Sequence, residues 1–150
     1  RVGTGTSINL GRPFGKIFMG ISVLILFLMP LLGGWCMMEE FTPLNAQIVN
    51  ESLVVTHTGT VFKTEINDIQ SIELLETLPR YHKIVGSGME NLLKGKFRIT
   101  GWYECRLYLN PQKKPFLKLV LNDESIVIVG SSDGNIENIY RQLLSEVKQE

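Results

Sequence analysis

Six basic side chains in two short stretches carry the strongest chemical signal in this sequence. Arg80, His82 and Lys83 fall in the run PRYHK, and Lys94, Lys96 and Arg98 alternate in KGKFR. In an extended strand, alternate residues point to one face, so Lys94, Lys96 and Arg98 form a row with Phe97 and Ile99 behind it. Three cations in a row beside a glycine-containing segment can receive a phosphate or a carboxylate. The bland alternative is a solvated outer sheet face, with lysine discouraging edge-to-edge aggregation. The candidate anion- or ligand-binding residues are therefore Arg80, Lys83, Lys94, Lys96 and Arg98.

Other chemistry finds less support. His57 and His82 are the two histidines, and neither has an acid or nucleophile at a revealing spacing. Ser87 stands between Gly86 and Gly88, but VGSGM lacks the spacing of a nucleophile elbow. Glu73 with Glu76, and Asp123 with Glu124, have no partner suggesting acid–base work. Gly3 and Gly5 lack the preceding strand and GK[ST] ending of a phosphate loop. Cys36 and Cys105 form no CxxC or Cys/His cluster, which argues against zinc. Asn50-Glu51-Ser52 fits a glycosylation sequon, a triplet that recurs by chance. The expectation is a non-enzyme with no cofactor and no catalytic or metal-binding residues.

The elements that must position the basic row begin with a membrane anchor. Ile17 to Met38 is 22 residues without a charge, and 17 of them are apolar. As a helix it spans about 33 Å, enough for a hydrocarbon core of about 30 Å. A signal peptide would be shorter, Trp35 disfavours lipoprotein processing at Cys36, and a core helix would show a polar face. Pro30 predicts a bend, Gly33-Gly34 a frayed end and Trp35 an interfacial position.

Charge is distributed unevenly about this run. Arg1, Arg12 and Lys16 precede it, while all 15 acids follow it against 12 Lys and Arg, a balance of −3. The basic tail, residues 1–16, is expected in the cytoplasm and the rest of the chain outside. A net negative domain argues against nucleic acid as partner.

After a linker over 39–45, the period changes to two. Residues 52–57 and 60–66 read as strands joined at Thr58-Gly59, and 69–76 as a third strand. Residues 77–93 read as a long irregular stretch. Residues 94–103, 105–110, 115–121 and 125–130 read as further strands, with a short one at 47–49. About seven strands with short connections predict an antiparallel sandwich or barrel. Ile136, Ile139, Tyr140, Leu143, Leu144 and Val147 then fall on one helical stripe, which should close the sheet. Ser132-Asp133-Gly134 offers cap residues for it.

Seven strands and one closing helix is the order of a pleckstrin-homology (PH) fold. The stretches INDIQSIEL through Leu78-Pro79, Gly86-x-Gly88, LKGKFRITG, Arg106 to Asn110 and Lys114 to Leu117 resemble bacterial PH-like domains in spacing, over about residues 44–147. The basic alternation is also similar to strands with which some PH domains hold lipid headgroups. The resemblance implies a mostly β, α+β domain over 46–149 behind a transmembrane helix over 17–38. It implies an interaction module without chemistry, with a membrane-proximal protein or an anionic headgroup as ligand. The alternative is a structural or accessory domain of a larger membrane protein.

Overall fold

A computed structural model describes residues 10–147. The basic residue Arg1, Gly3, Gly5 and the end of the domain at 148–149 lie outside the described residues. The chain divides into two units, residues 1–39 and 40–150.

The first unit is the greater part of helix α1 (Pro13–Phe41), 29 residues. Its most apolar 18-residue window has a mean hydropathy of 2.4 and no residue buried within the chain, so α1 is long and apolar enough to cross a membrane. Ser22 satisfies its hydroxyl by donating to the Phe18 carbonyl at 2.9 Å, a partner it needs in an apolar surrounding. The helix runs through Pro30 and past Gly33-Gly34 to Phe41. The expected fraying at those glycines does not occur, and the expected linker over 39–45 shrinks to Thr42, Pro43 and Leu44. Nothing lies within 4 Å of a methyl group placed on either glycine.

Among its described residues the second unit contains nine strands. They are β1 (Asn45–Val49), β2 (Ser52–Thr56), β3 (Thr60–Glu65), β4 (Ile69–Leu75), β5 (Tyr81–Gly88), β6 (Leu93–Ile99), β7 (Trp102–Leu109), β8 (Phe116–Leu121) and β9 (Ile126–Val129). Helix α2 (Ile136–Val147) follows. The fold is mostly β and of the α+β class. β1, β2 and β3 form one antiparallel sheet, closed by the positive-φ pair Asn50-Glu51 and by Thr58-Gly59. The second sheet has the order β4-β8-β9-β7-β6-β5.

Three sequence expectations change. Residues 81–88 are strand rather than irregular chain, although the strand is almost wholly exposed and so lacks an apolar signature. The run 94–103 is two strands that turn at Thr100-Gly101, with Gly101 at φ +90°. The fold is not purely antiparallel, because β7 pairs with β9 in parallel.

The first face of the large sheet holds Leu117, Leu119, Val127 and Val129. These pack with Leu53, Val55 and Phe62 of the small sheet and with Ile136, Ile139 and Leu143 of α2. Each fully buried side chain of this size contributes about 1.5–3 kcal/mol gross. Asn135, not the preceding Ser132-Asp133-Gly134, stands just before α2, and its carbonyl accepts from Ile139 at 3.1 Å. Ser132 instead pairs with Leu44, donating from its N–H at 2.7 Å and accepting at Oγ at 3.0 Å.

The second face is enclosed by curling. β4 and β5 run in the same direction at opposite edges, and only residues 76–80 join them. Across a flat sheet five gaps would separate them by about 24 Å. The link from Leu75 to Tyr81 reaches about 21 Å at most, and it must also travel back along a strand. The sheet must therefore curl, with Leu75 and Leu78 packed on Leu93, Phe97, Leu107, Phe116 and Ile128. Gly86 and Gly95 stand opposite each other with φ +128° and +132°. A methyl group on Gly86 would lie 2.8 Å from the Gly95 Cα, so only this bare pair permits so close an approach.

Candidate functional site

The register of the large sheet extends the first face beyond its core. Val127 pairs with Arg106, and Arg106 pairs with Lys96. One row along, Val129 pairs with Tyr108, and Tyr108 pairs with Lys94. One row the other way, Glu104 pairs with Arg98, and Arg98 with His82. Directly paired side chains share a face. The buried valines of β9 therefore give way, strand by strand, to a polar face carrying Lys94, Lys96, Arg98 and Arg106. Tyr108 lies at the boundary, stacked on Phe62 with ring centroids 5.5 Å apart.

Of the five residues expected at an anion site, three are brought together. Lys94, Lys96 and Arg98 share the first face, with Lys96 and Arg98 exposed and Lys94 partly so. Lys83 pairs with Phe97 and so belongs to the opposite face, because the strand period puts it out of phase with His82. Arg80 lies just outside the ladder, exposed, its carbonyl accepting from the Thr100 N–H at 2.9 Å.

Arg106 and Glu104 were not singled out from the sequence. Their signal is the alternation of Glu104, Arg106 and Tyr108 against Cys105, Leu107 and Leu109. It becomes readable once the Thr100-Gly101 turn fixes which residue faces which. Ser125, whose N–H donates to Asp123 at 3.0 Å, and to a lesser extent Arg106, hold the Asp123 carboxyl below its ordinary value.

At one end of this face is an open cleft of about 710 Å³. His82, Arg98 and Glu104 line it with Ile99, Thr100, Gly101 and Trp102. Lys118 Nζ sits 4.3 Å from the centre of the Trp102 ring and 2.7 Å from Glu73 Oε2. That ion pair is partly sheltered, with the Lys118 side chain 16% exposed, and Trp102, whose strand partner is Ile99, packs against the second core.

The remaining reactive residues are dispersed. His57 is buried at the end of the β2–β3 hairpin. His82 and Ser87 face Arg98 and Lys94, four residues apart on β6, which separates them by about 13 Å. Cys105 is buried in the second core, and burial pushes its thiol pKa up against a smaller opposing pull from Lys118. Among the described residues no group of three His, Cys, Asp or Glu side chains has the geometry to hold a metal ion.

In comparisons with protein-family models, curated proteins and solved structures, nothing matches this chain.

Proposed function

We propose that the chain is a membrane-anchored, non-catalytic interaction module. Its β-domain binds an anionic group, on a membrane-proximal protein or another ligand, through Lys94, Lys96, Arg98 and Arg106. The observation that carries this reading is the cross-strand pair Lys96–Arg106, two cations held side by side. Like charges directly opposite each other oppose folding by a few tenths of a kcal/mol to about 1 kcal/mol. A bound anion turns that liability into a binding contribution through charge-assisted hydrogen bonds. Among the described residues, neither Lys96 nor Arg106 belongs to an ion pair within 4.0 Å.

The PH-like resemblance belongs to the same proposal. The mostly β body and closing helix support it, whereas nine strands and the parallel β7–β9 ladder depart from the expected order. The proposed topology puts residues 1–16 in the cytoplasm and the β-domain outside, on the strength of Arg1, Arg12 and Lys16 before the apolar run and Glu39-Glu40 after it. The short connection through Pro43 favours a partner in or near the membrane over a distant soluble one.

The test is a titration of the full chain, in a nonionic detergent, with inorganic phosphate and with an oligoglutamate peptide. Binding of either that weakens at least tenfold in the Lys96→Gln/Arg106→Gln double variant supports the proposal. Absence of binding to both would favour the alternative, an accessory domain that only packs against a larger membrane protein. Protease protection of the domain in sealed, right-side-out cells would overturn the external topology.

A further inference from the structure

The cleft at the end of the cationic face differs from the rest of that face in carrying an acid. His82, Arg98 and Glu104 occupy one transverse row on three adjacent strands. Arg98 and Glu104 are directly opposite, with Cβ atoms about 5 Å apart. Opposite charges so placed ordinarily close on each other. Among the described residues, neither Arg98 nor Glu104 belongs to an ion pair within 4.0 Å, and both are exposed.

The walls suit a small ligand. A volume of about 710 Å³ lies within the usual range for small-molecule sites, about 300–1,000 Å³. Gly101 leaves open space where any other residue would put a side chain. Trp102 lines the cleft but packs against the second core with Lys118 over its ring, so the ionisable side chains left to meet a ligand are His82, Arg98 and Glu104. An ammonium group is attracted to a carboxylate through a charge-assisted hydrogen bond. A guanidinium takes a phosphoryl or carboxylate group through two parallel hydrogen bonds.

We infer that the His82–Arg98–Glu104 cleft is a site for a compact zwitterion, with its phosphoryl group on Arg98 and its ammonium on Glu104. This inference rests on the reading of the cationic face as a ligand surface and names the class of ligand at one end of it. The chemistry is that of phosphoethanolamine, which exists both as a free solute and as a lipid headgroup. Lys96 and Arg106, one row away, provide general anion attraction but no counterpart for the ammonium.

Calorimetric titration of the full chain in a nonionic detergent tests the inference. The probes are phosphoethanolamine, inorganic phosphate and dihexanoyl phosphatidylethanolamine below its micellar concentration. Phosphoethanolamine should bind at least about tenfold more tightly than phosphate. Glu104→Gln should remove that preference without lowering phosphate affinity, and Arg98→Gln should weaken both. Tighter binding of the acylated probe identifies the lipid source, and tighter binding of the free solute identifies the soluble one. Equal affinities for phosphoethanolamine and phosphate in the unmodified chain would overturn the inference while leaving the anion site standing. Loss of all binding would overturn both. Circular dichroism of each variant shows whether the β-domain remains folded, and a second acid variant, Glu104→Ala, replaces Glu104→Gln if it does not.

Discussion

Lys96 stands directly opposite Arg106 across the β6–β7 ladder, with Lys94 and Arg98 two residues to either side of it. No sheet needs such an arrangement for its own stability. Lys96→Glu converts the pair from like to opposite charge and should stabilise the domain by about 0.5–1 kcal/mol. For a domain of this size that corresponds to a rise in Tm of about 2–6 °C. The same change should abolish phosphate binding. Thermal unfolding followed by circular dichroism reads the first effect and calorimetry the second. A lower Tm would show that the two cations are not in repulsive contact.

The close approach of β5 and β6 depends on the Gly86–Gly95 pair. Each has a positive φ that other residues adopt at a cost, and each would direct a methyl group at the other strand's backbone. Backbone strain of this kind amounts to about 1–3 kcal/mol before any steric clash. Gly95→Ala should therefore destabilise the domain by about 3 kcal/mol or more, as measured by urea unfolding. Gly59→Ala is the comparison, since nothing lies within 4 Å of a methyl group there. It should cost distinctly less, and equal losses at the two positions would remove the close approach as the cause.

These glycines also mark how far the sequence can be read. The strands of the first core were legible because Leu53 and Val55, and Leu117 and Leu119, flank the less buried Val54 and Lys118, and because β9 is a short apolar run buried on both faces. The stripe of α2 was legible for the corresponding reason at a period of 3.6. β5 was not, because a strand at an exposed edge of the sheet needs no buried residues, and YHKIVGSG reads as loop. The basic row on β6 was visible from alternation alone. Its neighbours Arg106, Glu104 and His82 depend on which strands pair and in what register. That pairing is a long-range fact, set partly by the short β4–β5 link and the parallel β7–β9 ladder.

Helix α2 closes the first core through Ile136, Ile139 and Leu143. Leu143 is fully buried, so Leu143→Ala should cost about 2–5 kcal/mol. Arg141 is on the outer side and meets Glu137 at 3.8 Å in an exposed pair. Arg141→Ala should change stability by less than about 0.5 kcal/mol. Chemical denaturation of the two variants distinguishes a helix that completes the core from one that merely lies on it. A small loss at Leu143 would place the stability of the domain elsewhere.

Cys105 supplies a pH-dependent contribution whose sign can be worked out. Burial raises the folded-state pKa of its thiol, and the nearby Lys118 charge offsets part of the rise. The folded protein therefore holds the thiol proton to higher pH than the unfolded chain does. The corresponding stability is fully present below the unfolded thiol pKa of about 8.5 and is lost as pH rises through the folded-state value. Stability should fall across this alkaline range, and Cys105→Ala should reduce the slope while lowering stability at neutral pH through the cavity it leaves. In a Cys36→Ser background, the Cys105 thiolate should react with a disulfide reagent slowly at pH 8 and faster as urea opens the domain. Rapid reaction of the native protein would mean that the second core admits solvent at β7, which the packing of Phe97, Leu107 and Ile128 around the thiol opposes.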